Sequence, residues 1–384
     1  MGNTSGNCQS REGVLNSAPC AVLISRGRGV GRQADVSLEE KQMVWLEGLV
    51  PWAIFLLSAA VIVYAGTKLS RYGDQIADLT GLGGLWIGVV LMASATSLPE
   101  IFTDVSAALM HAPDLAAGDL FGSNMANMLI LGIIDLMHRQ KRVWQQAAFE
   151  HALSAGLAIF LTGLAAFFVL YGSDVKLGGV GIGSMLLLLL YIFGMRLVFR
   201  QESSKWRQRE QGKVVEGQTA EEPKQPNKRE ELRRASIGFA VATLGLLVAA
   251  PFLAGSANAI AEQSGISATF IGTSLVGIST SLPELVTAIA AVRLGAFDLA
   301  VGNLFGSNAF NMAAFFFVDV AYRGGSIFNA ISDTHAMTAL WSILLMSIGL
   351  MGIIYRVEKR YVLIEPDSFL IILGYCLGLW LLFQ

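Results

Sequence analysis

Along most of its length the chain alternates between long apolar runs and short polar breaks. A membrane-spanning helix needs about 20 largely apolar residues, and ten runs qualify: 46–72, 82–109, 115–137, 146–171, 177–199, 235–261, 267–292, 299–321, 335–355 and 367–384. Helices are the expected spanning form, because backbone polar groups cannot stay unpaired in lipid. Gly, Ala and Ser recur through the runs at spacings that suit close helix packing. The pattern therefore predicts an all-α polytopic membrane protein with ten transmembrane helices.

Two polar segments stand outside this rhythm. Residues 1–44 are rich in Gly, Ser and Arg and have no sustained apolar core, so they read as a disordered tail and not as a signal peptide. Met43 directly precedes the first apolar run, and the expectation is that the native chain starts there, with 1–42 dispensable. Residues 201–234 mix both charge signs with Pro, Gly and Gln and read as a solvated linker. They divide the ten helices into 45–200 and 235–384.

The two parts repeat each other. SATSLPE at 94–100 returns as STSLPE at 279–284, an offset of 184 from Glu100 to Glu284. At the same offset Asp114 matches Asp298, Gly118 matches Gly302, FGSNMAN (121–127) matches FGSNAFN (305–311), and Asp135 matches Asp319. Five helices per part is an odd number, so the second part enters the membrane from the opposite side. The repeats are expected to be inverted, a transporter plan that places a binding site at the midplane where broken helices meet. Pro99 and Pro283 supply the breaks, since each lacks an N–H and crowds the preceding turn.

Composition and charge narrow the classes. The chain is 54% hydrophobic and only 15% charged, against about 25% in soluble domains. A net charge of −2 leaves no nucleic-acid footprint. Cys8, Cys20 and Cys376 form neither a disulfide framework nor a metal motif, and His111, His138, His151 and His335 lack ligand spacing and read as interfacial. Lys and Arg gather in the loops at 139–142, in 196–234, at Arg293 and at 356–360, which puts these loops and the linker in the cytoplasm. The arginines of the 1–44 tail run against that orientation.

Glu100 and Glu284 are the puzzle. A carboxylate at mid-membrane costs about 2.5–3.5 kcal/mol on insertion scales. Pairing with a basic neighbour is the ordinary remedy, yet no Lys or Arg occurs from Tyr72 to His138 or from Ala235 to Val292. The glutamates must be neutralised by protons or by a cation from solution. The polar residues around them are Thr96, Ser97, Ser123, Asn124 and Asn127, then Thr280, Ser281, Ser307, Asn308 and Asn311. An all-oxygen set suits hard cations such as Ca²⁺ and Na⁺.

The duplicated TSLPE and GSNxxN motifs, each pair separated by 23 residues from Glu to Ser, resemble the alpha-repeats of the sodium/calcium exchanger family, within the calcium/cation antiporter superfamily. The resemblance covers 46–137 and 235–321 by motif, with alpha-repeat segments at 82–137 and 267–321. It implies four cation sites at the centre of a ten-helix inverted repeat and no cofactor. The implied ligands are Thr96, Ser97, Glu100, Ser123, Asn127, Thr280, Ser281, Glu284, Ser307 and Asn311, with backbone carbonyls from Ala93 and Gly277. Three departures bear on selectivity. Ala95 and Ser279 stand where the family usually has Gly, Asn311 where many exchangers have Asp, and Asp119 where Asn is common; Asp119 is a candidate additional ligand.

The expected function is secondary active exchange of Ca²⁺ for Na⁺ across the plasma (inner) membrane, with the bilayer and inorganic cations as the partners. A cation/proton antiporter using the same glutamates is the alternative. A remoter one is an intramembrane hydrolase, with Ser97 or Ser123 as nucleophile or Asp104 and Asp119 as an acid pair; it lacks a positioned base.

Overall fold

The computed structural model describes residues 38–80, 96–137, 151–172, 175–215, 228–293, 297–355 and 366–384. The chain separates into two units, Met1–Val44 and Trp45–Gln384. The predicted tail lies outside the described residues except for 38–44.

Trp45–Gln384 is helical throughout, apart from one short strand pair among the described residues. The first part contributes α1 (Leu38–Thr80), α2 (Leu98–Leu109), α3 (Pro113–Met137), α4 (His151–Tyr171) and α5 (Ile182–Val215). Strands β1 (Lys176–Leu177) and β2 (Val180–Gly181) pair antiparallel just before α5. The second part begins with α6 (Lys228–Ser264) and a broken element, α7 (Ala268–Thr280) followed by α8 (Leu282–Arg293). It closes with α9 (Phe297–Ala321), the single turn α10 (Ile327–Ala330), α11 (Thr334–Tyr355) and α12 (Pro366–Phe383).

Where they are described, the predicted runs fall on helix, except that the 177–199 run begins in the strand pair. Among the described residues six helices are long and apolar enough to cross a membrane, and the α7–α8 pair, bent by 42°, makes a seventh. Ile182–Val198 and Asp367–Phe383 are shorter apolar helices. Residues 82–95 of the 82–109 run lie outside the described residues.

The segment expected to be a solvated linker is partly helical. Helix α5 continues to Val215 and α6 starts at Lys228, so most of 201–234 is helical. Its Glu, Lys, Arg and Gln are strong helix formers, which suits a helical end open to water.

The prolines also act differently from simple kinks. Pro99 and Pro283 each occupy the second residue of a new helix, α2 and α8. In the first turn a missing N–H costs nothing, because that donor has no intrahelical partner anyway. The break falls just before them, at Ser97 and Ser281, which both adopt a non-helical ψ near zero.

The packing is exchanged between the two parts. Helix α3 packs against α11 and α12 of the second part, while α9 packs against α4 and α5 of the first, and α3 and α9 meet each other. A turn of π-helix, Gly272–Val276 within α7, lies across α3. Here backbone meets backbone. A Cβ on Gly118 would stand 2.9 Å from Thr269 O and 3.0 Å from Gly272 Cα, and one on Gly122 would collide with Thr273 O.

The distribution of polarity is that of a membrane protein with a polar centre. Large apolar side chains such as Leu56, Leu57, Phe160, Phe167, Leu244 and Met351 are exposed, whereas Glu100, Asp104, Asp119, Glu284 and four asparagines are fully buried. No Lys or Arg is buried among the described residues.

Candidate cation site

The two breaks and the two central helices α3 and α9 bring the matched polar residues together. Thr96, Ser97 and Glu100 sit where α2 begins, Thr280, Ser281 and Glu284 where α7 gives way to α8, and all are buried. Each glutamate looks toward the serine of the opposite break: Glu100 faces Ser281, and Glu284 faces Thr96 and Ser97. The two carboxylates are also within electrostatic reach of one another.

Facing is not bonding here. Neither oxygen of Glu100 or Glu284 has a hydrogen-bond donor at bonding geometry, and the Ser97, Ser281 and Ser307 hydroxyls are likewise unpartnered. Buried polar groups are nearly always satisfied in native proteins, so a concentration of orphaned acceptors marks a site for a ligand.

The asparagines explain how the cage is held open. Asn127 Nδ2 donates to Asn308 Oδ1 at 2.9 Å, and Asn311 Nδ2 donates to Asn124 Oδ1 at 3.2 Å. Residues 124 and 308, and 127 and 311, are 184 apart, so the two bonds are repeat-related. In both, the amide N–H is consumed across the α3–α9 crossing, while Asn127 Oδ1 and Asn311 Oδ1 remain without a partner. The amides are thereby oriented with an oxygen to spare. Ser123 is tied differently: its hydroxyl lies 3.1 Å from Asp119 Oδ1, 3.3 Å from Thr280 Oγ1 and 3.4 Å from Gly277 O.

Among the predicted site residues only Ala93 lies outside the described residues. The others belong to this one buried region, on α2, α3, α7, α8 and α9. Asp119 joins them, accepting from Thr280 Oγ1 at 2.9 Å. Among the described residues no three His, Cys, Asp or Glu side chains converge on one point. Hydroxyl and amide oxygens therefore make up most of the donor set, and a soft-metal centre is not what this chemistry fits.

One feature escaped the sequence reading. Two of the histidines are paired with aspartates, while His138 lies outside the described residues. His335, fully buried, places Nε2 3.0 Å from Asp114 Oδ1, and His151 places Nε2 3.3 Å from Asp298 Oδ1. At the other ends of the central helices, Ser368 Oγ donates to Asp135 Oδ2 at 2.7 Å, and Ser184 Oγ donates to Asp319 Oδ2. His151 and His335, like Ser184 and Ser368, are 184 residues apart. The 184-residue offset carries this signal in the sequence. Asp104, one turn after Glu100, faces Asp119, so the two acids weighed as a pair from the sequence do lie together.

A buried, duplicated oxygen cage inside a polytopic helical membrane protein defines a carrier of inorganic cations. The family model described as sodium/calcium exchanger protein matches residues 50–200 and 235–384, leaving out the stretch between the two parts. The chain belongs to that family. It is a cation antiporter and not an enzyme. Among curated relatives, the inner membrane protein YrbG of Escherichia coli is 28% identical over 266 residues, 69% of this chain and 77% of its own length. The putative antiporter CaxA of Alkalimonas amylolytica is 28% identical over 315 residues, 81% of this chain and 93% of its own. A solved structure of the sodium-calcium exchanger NCX_Mj, soaked with Na⁺ and Sr²⁺, shares the fold with a TM-score of 0.53 at 22% identity, covering 87% of this chain and 98% of that one.

Proposed function

We propose that this protein exchanges Ca²⁺ for Na⁺ by alternating access, with Glu100 and Glu284 as the central cation ligands. The observation that carries the reading is the set of buried oxygens without donors at repeat-matched positions, in a core with no buried Lys or Arg among the described residues. Thr96, Ser97, Ser123, Asn127, Thr280, Ser281, Ser307 and Asn311 complete the coordination, with the carbonyls of Ala93 and Gly277.

Charge sets the exchange. Two ionised glutamates carry −2, which one Ca²⁺ or two Na⁺ balance. Both ions are hard and take carboxylate, hydroxyl and carbonyl oxygens. Because they compete for one set of oxygens, occupancy by one excludes the other, and that exclusion couples their movements. Access changes as α1 and α6 shift against the core. A Cβ on Gly66 of α1 would stand 2.7 Å from Pro283 Cγ and 3.2 Å from Pro99 Cγ, so α1 lies over both helix breaks at a residue with no side chain to catch on them.

The two repeats run 45–200 and 235–384, and 201–234 lies on the cytoplasmic side of the plasma (inner) membrane. The relative YrbG is named as an inner membrane protein, and structures of NCX_Mj are described in terms of extracellular ion exchange and binding-site occlusion.

The test is ⁴⁵Ca²⁺ uptake into proteoliposomes loaded with Na⁺, against vesicles loaded with K⁺ or given only a pH gradient. Uptake that requires internal Na⁺ is expected, and Glu100→Gln and Glu284→Gln abolish it. Uptake driven by the pH gradient alone would replace the reading with cation/proton antiport. Wild-type uptake in both variants would remove the glutamates from the site.

A further inference from the structure

Helix α2 carries Asp104 four residues after Glu100, and α3 carries Asp119 four residues before Ser123. Residues four apart share a helix face. Both aspartates therefore stand beside the glutamate level, each displaced one turn toward the α2–α3 turn at 110–112. Both are fully buried. Their carboxyls face each other, and Asp104 also lies within electrostatic reach of Glu100.

The donors around them are unevenly shared. Asp119 Oδ1 accepts from Ser123 Oγ at 3.1 Å and from Thr280 Oγ1 at 2.9 Å. Asp119 Oδ2 and both oxygens of Asp104 have no donor. Only a proton on one carboxyl could make a hydrogen bond between the two. As ionised groups they bring three bare oxygens into one buried place that holds no Lys or Arg among the described residues. His335 Nε2 is directed to Asp114 Oδ1 at 3.0 Å and Thr269 Oγ1 at 3.3 Å, not to this pair.

The pair stands outside the duplicated set. The 184-residue offset puts Ala288 opposite Asp104 and Asn303 opposite Asp119. The repeat-matched oxygens account for the central cage without these two acids, so their burial needs a separate reason.

We propose that Asp104 and Asp119 form a further binding position for a hard divalent cation of the Ca²⁺ class, one helical turn from the central cage toward the α2–α3 turn. The inference rests on the reading that Glu100 and Glu284 bind cations. Two facing carboxylates carry −2, which a single divalent ion balances and a single Na⁺ does not, and the bare oxygens are the ligand type such an ion takes. The four acids together carry −4, enough for two Ca²⁺. The path through the protein is then unequal at its two ends. An ion arriving from the α2–α3 side meets the aspartates before the glutamates, whereas the corresponding residues of the other repeat are Ala288 and Asn303.

The test is equilibrium ⁴⁵Ca²⁺ binding to the purified full-length protein in Na⁺-free buffer. The variant Asp104→Ala/Asp119→Asn installs the residues that the second repeat uses at the matched positions. Asp104→Asn serves as a near-isosteric check, and monodisperse elution confirms folding. Wild type is expected to bind two Ca²⁺ per chain, the aspartate double variant one, and Glu100→Gln/Glu284→Gln one. Equal stoichiometry in wild type and the aspartate variants overturns the inference. So does loss of all Ca²⁺ from a monodisperse aspartate variant, which would assign these acids to the central cage. Two Ca²⁺ retained by the glutamate variant would instead overturn the underlying reading, and a wild type that binds none overturns both.

Discussion

Replacing Glu284 by Gln changes the protein in opposite directions with and without its ion. The side chain keeps its size and loses a charge that is fully buried, lacks a donor on either oxygen and feels the carboxylate of Glu100. A buried ion carries a desolvation penalty of several kcal/mol that only a partner repays. Without a cation, the charge in wild type is a liability. The Gln amide can use the Thr96 and Ser97 hydroxyls that face this position. Relief of about 2 kcal/mol is expected, a rise in Tm of about 2–5 °C. With Ca²⁺ present the order reverses. Wild type gains about 2.7 kcal/mol at a hundredfold excess over Kd. Removing one partner of a buried charge pair costs about 3–5 kcal/mol, so affinity falls by roughly 10²–10⁴ and the variant gains no more than about 0.4 kcal/mol at the same concentration. Thermal denaturation of the purified protein in detergent, followed by tryptophan fluorescence with and without Ca²⁺, reads both limbs. The melting curves should exchange order when Ca²⁺ is added. A variant that is less stable in both conditions, or that keeps the wild-type Ca²⁺ shift, refutes the reasoning.

Two further outcomes follow from the packing. Gly122→Ala drives a methyl group into the Thr273 backbone, and overpacking of that kind costs about 1–3 kcal/mol. Gly163→Ala meets only Ile343 Cδ1 at 3.7 Å and should stay within about 0.5 kcal/mol; similar losses of Tm in the two variants would contradict the close crossing. A double-mutant cycle on Asp114→Asn and His335→Ala should show a coupling of about 1–3 kcal/mol in thermal denaturation, as for a hydrogen bond to a charged group, and additive losses would show that the two residues act independently.

The fold was legible because membrane burial writes itself plainly in the chain. Ten apolar runs need only length and composition to be found, and the repeat needed only the motifs around Glu100 and Glu284. Most of the site was legible for the same reason: acids and amides without basic neighbours have few explanations at membrane depth. What the sequence concealed were contacts that depend on which part packs against which. His335 reads as a lone residue near a helix end until α11 is laid along α3 and its ring meets Asp114. The sequence marks 201–234 as a solvated linker without fixing its backbone, because mixed charge suits a coil and a water-exposed helix equally well. Where a helix break falls relative to a proline is likewise a local choice, settled at Ser97 and Ser281 by the backbone and not by composition.

The reciprocal contacts at the ends of α3 and α9 also bear on how the chain matures. Asp114 meets His335, 221 residues later, and Asp135 meets Ser368, 233 residues later. When the first five helices have left the ribosome, these aspartates are already in the bilayer while His335 and Ser368 do not yet exist. The first repeat must therefore wait in a provisional arrangement, and final assembly belongs to the end of synthesis, with the last helix completing contacts made by the third. A truncation that removes α12 takes Ser368 away from a helix that lines the site, so damage at the C-terminus is felt at the centre. The same interlock makes each part a template for the other.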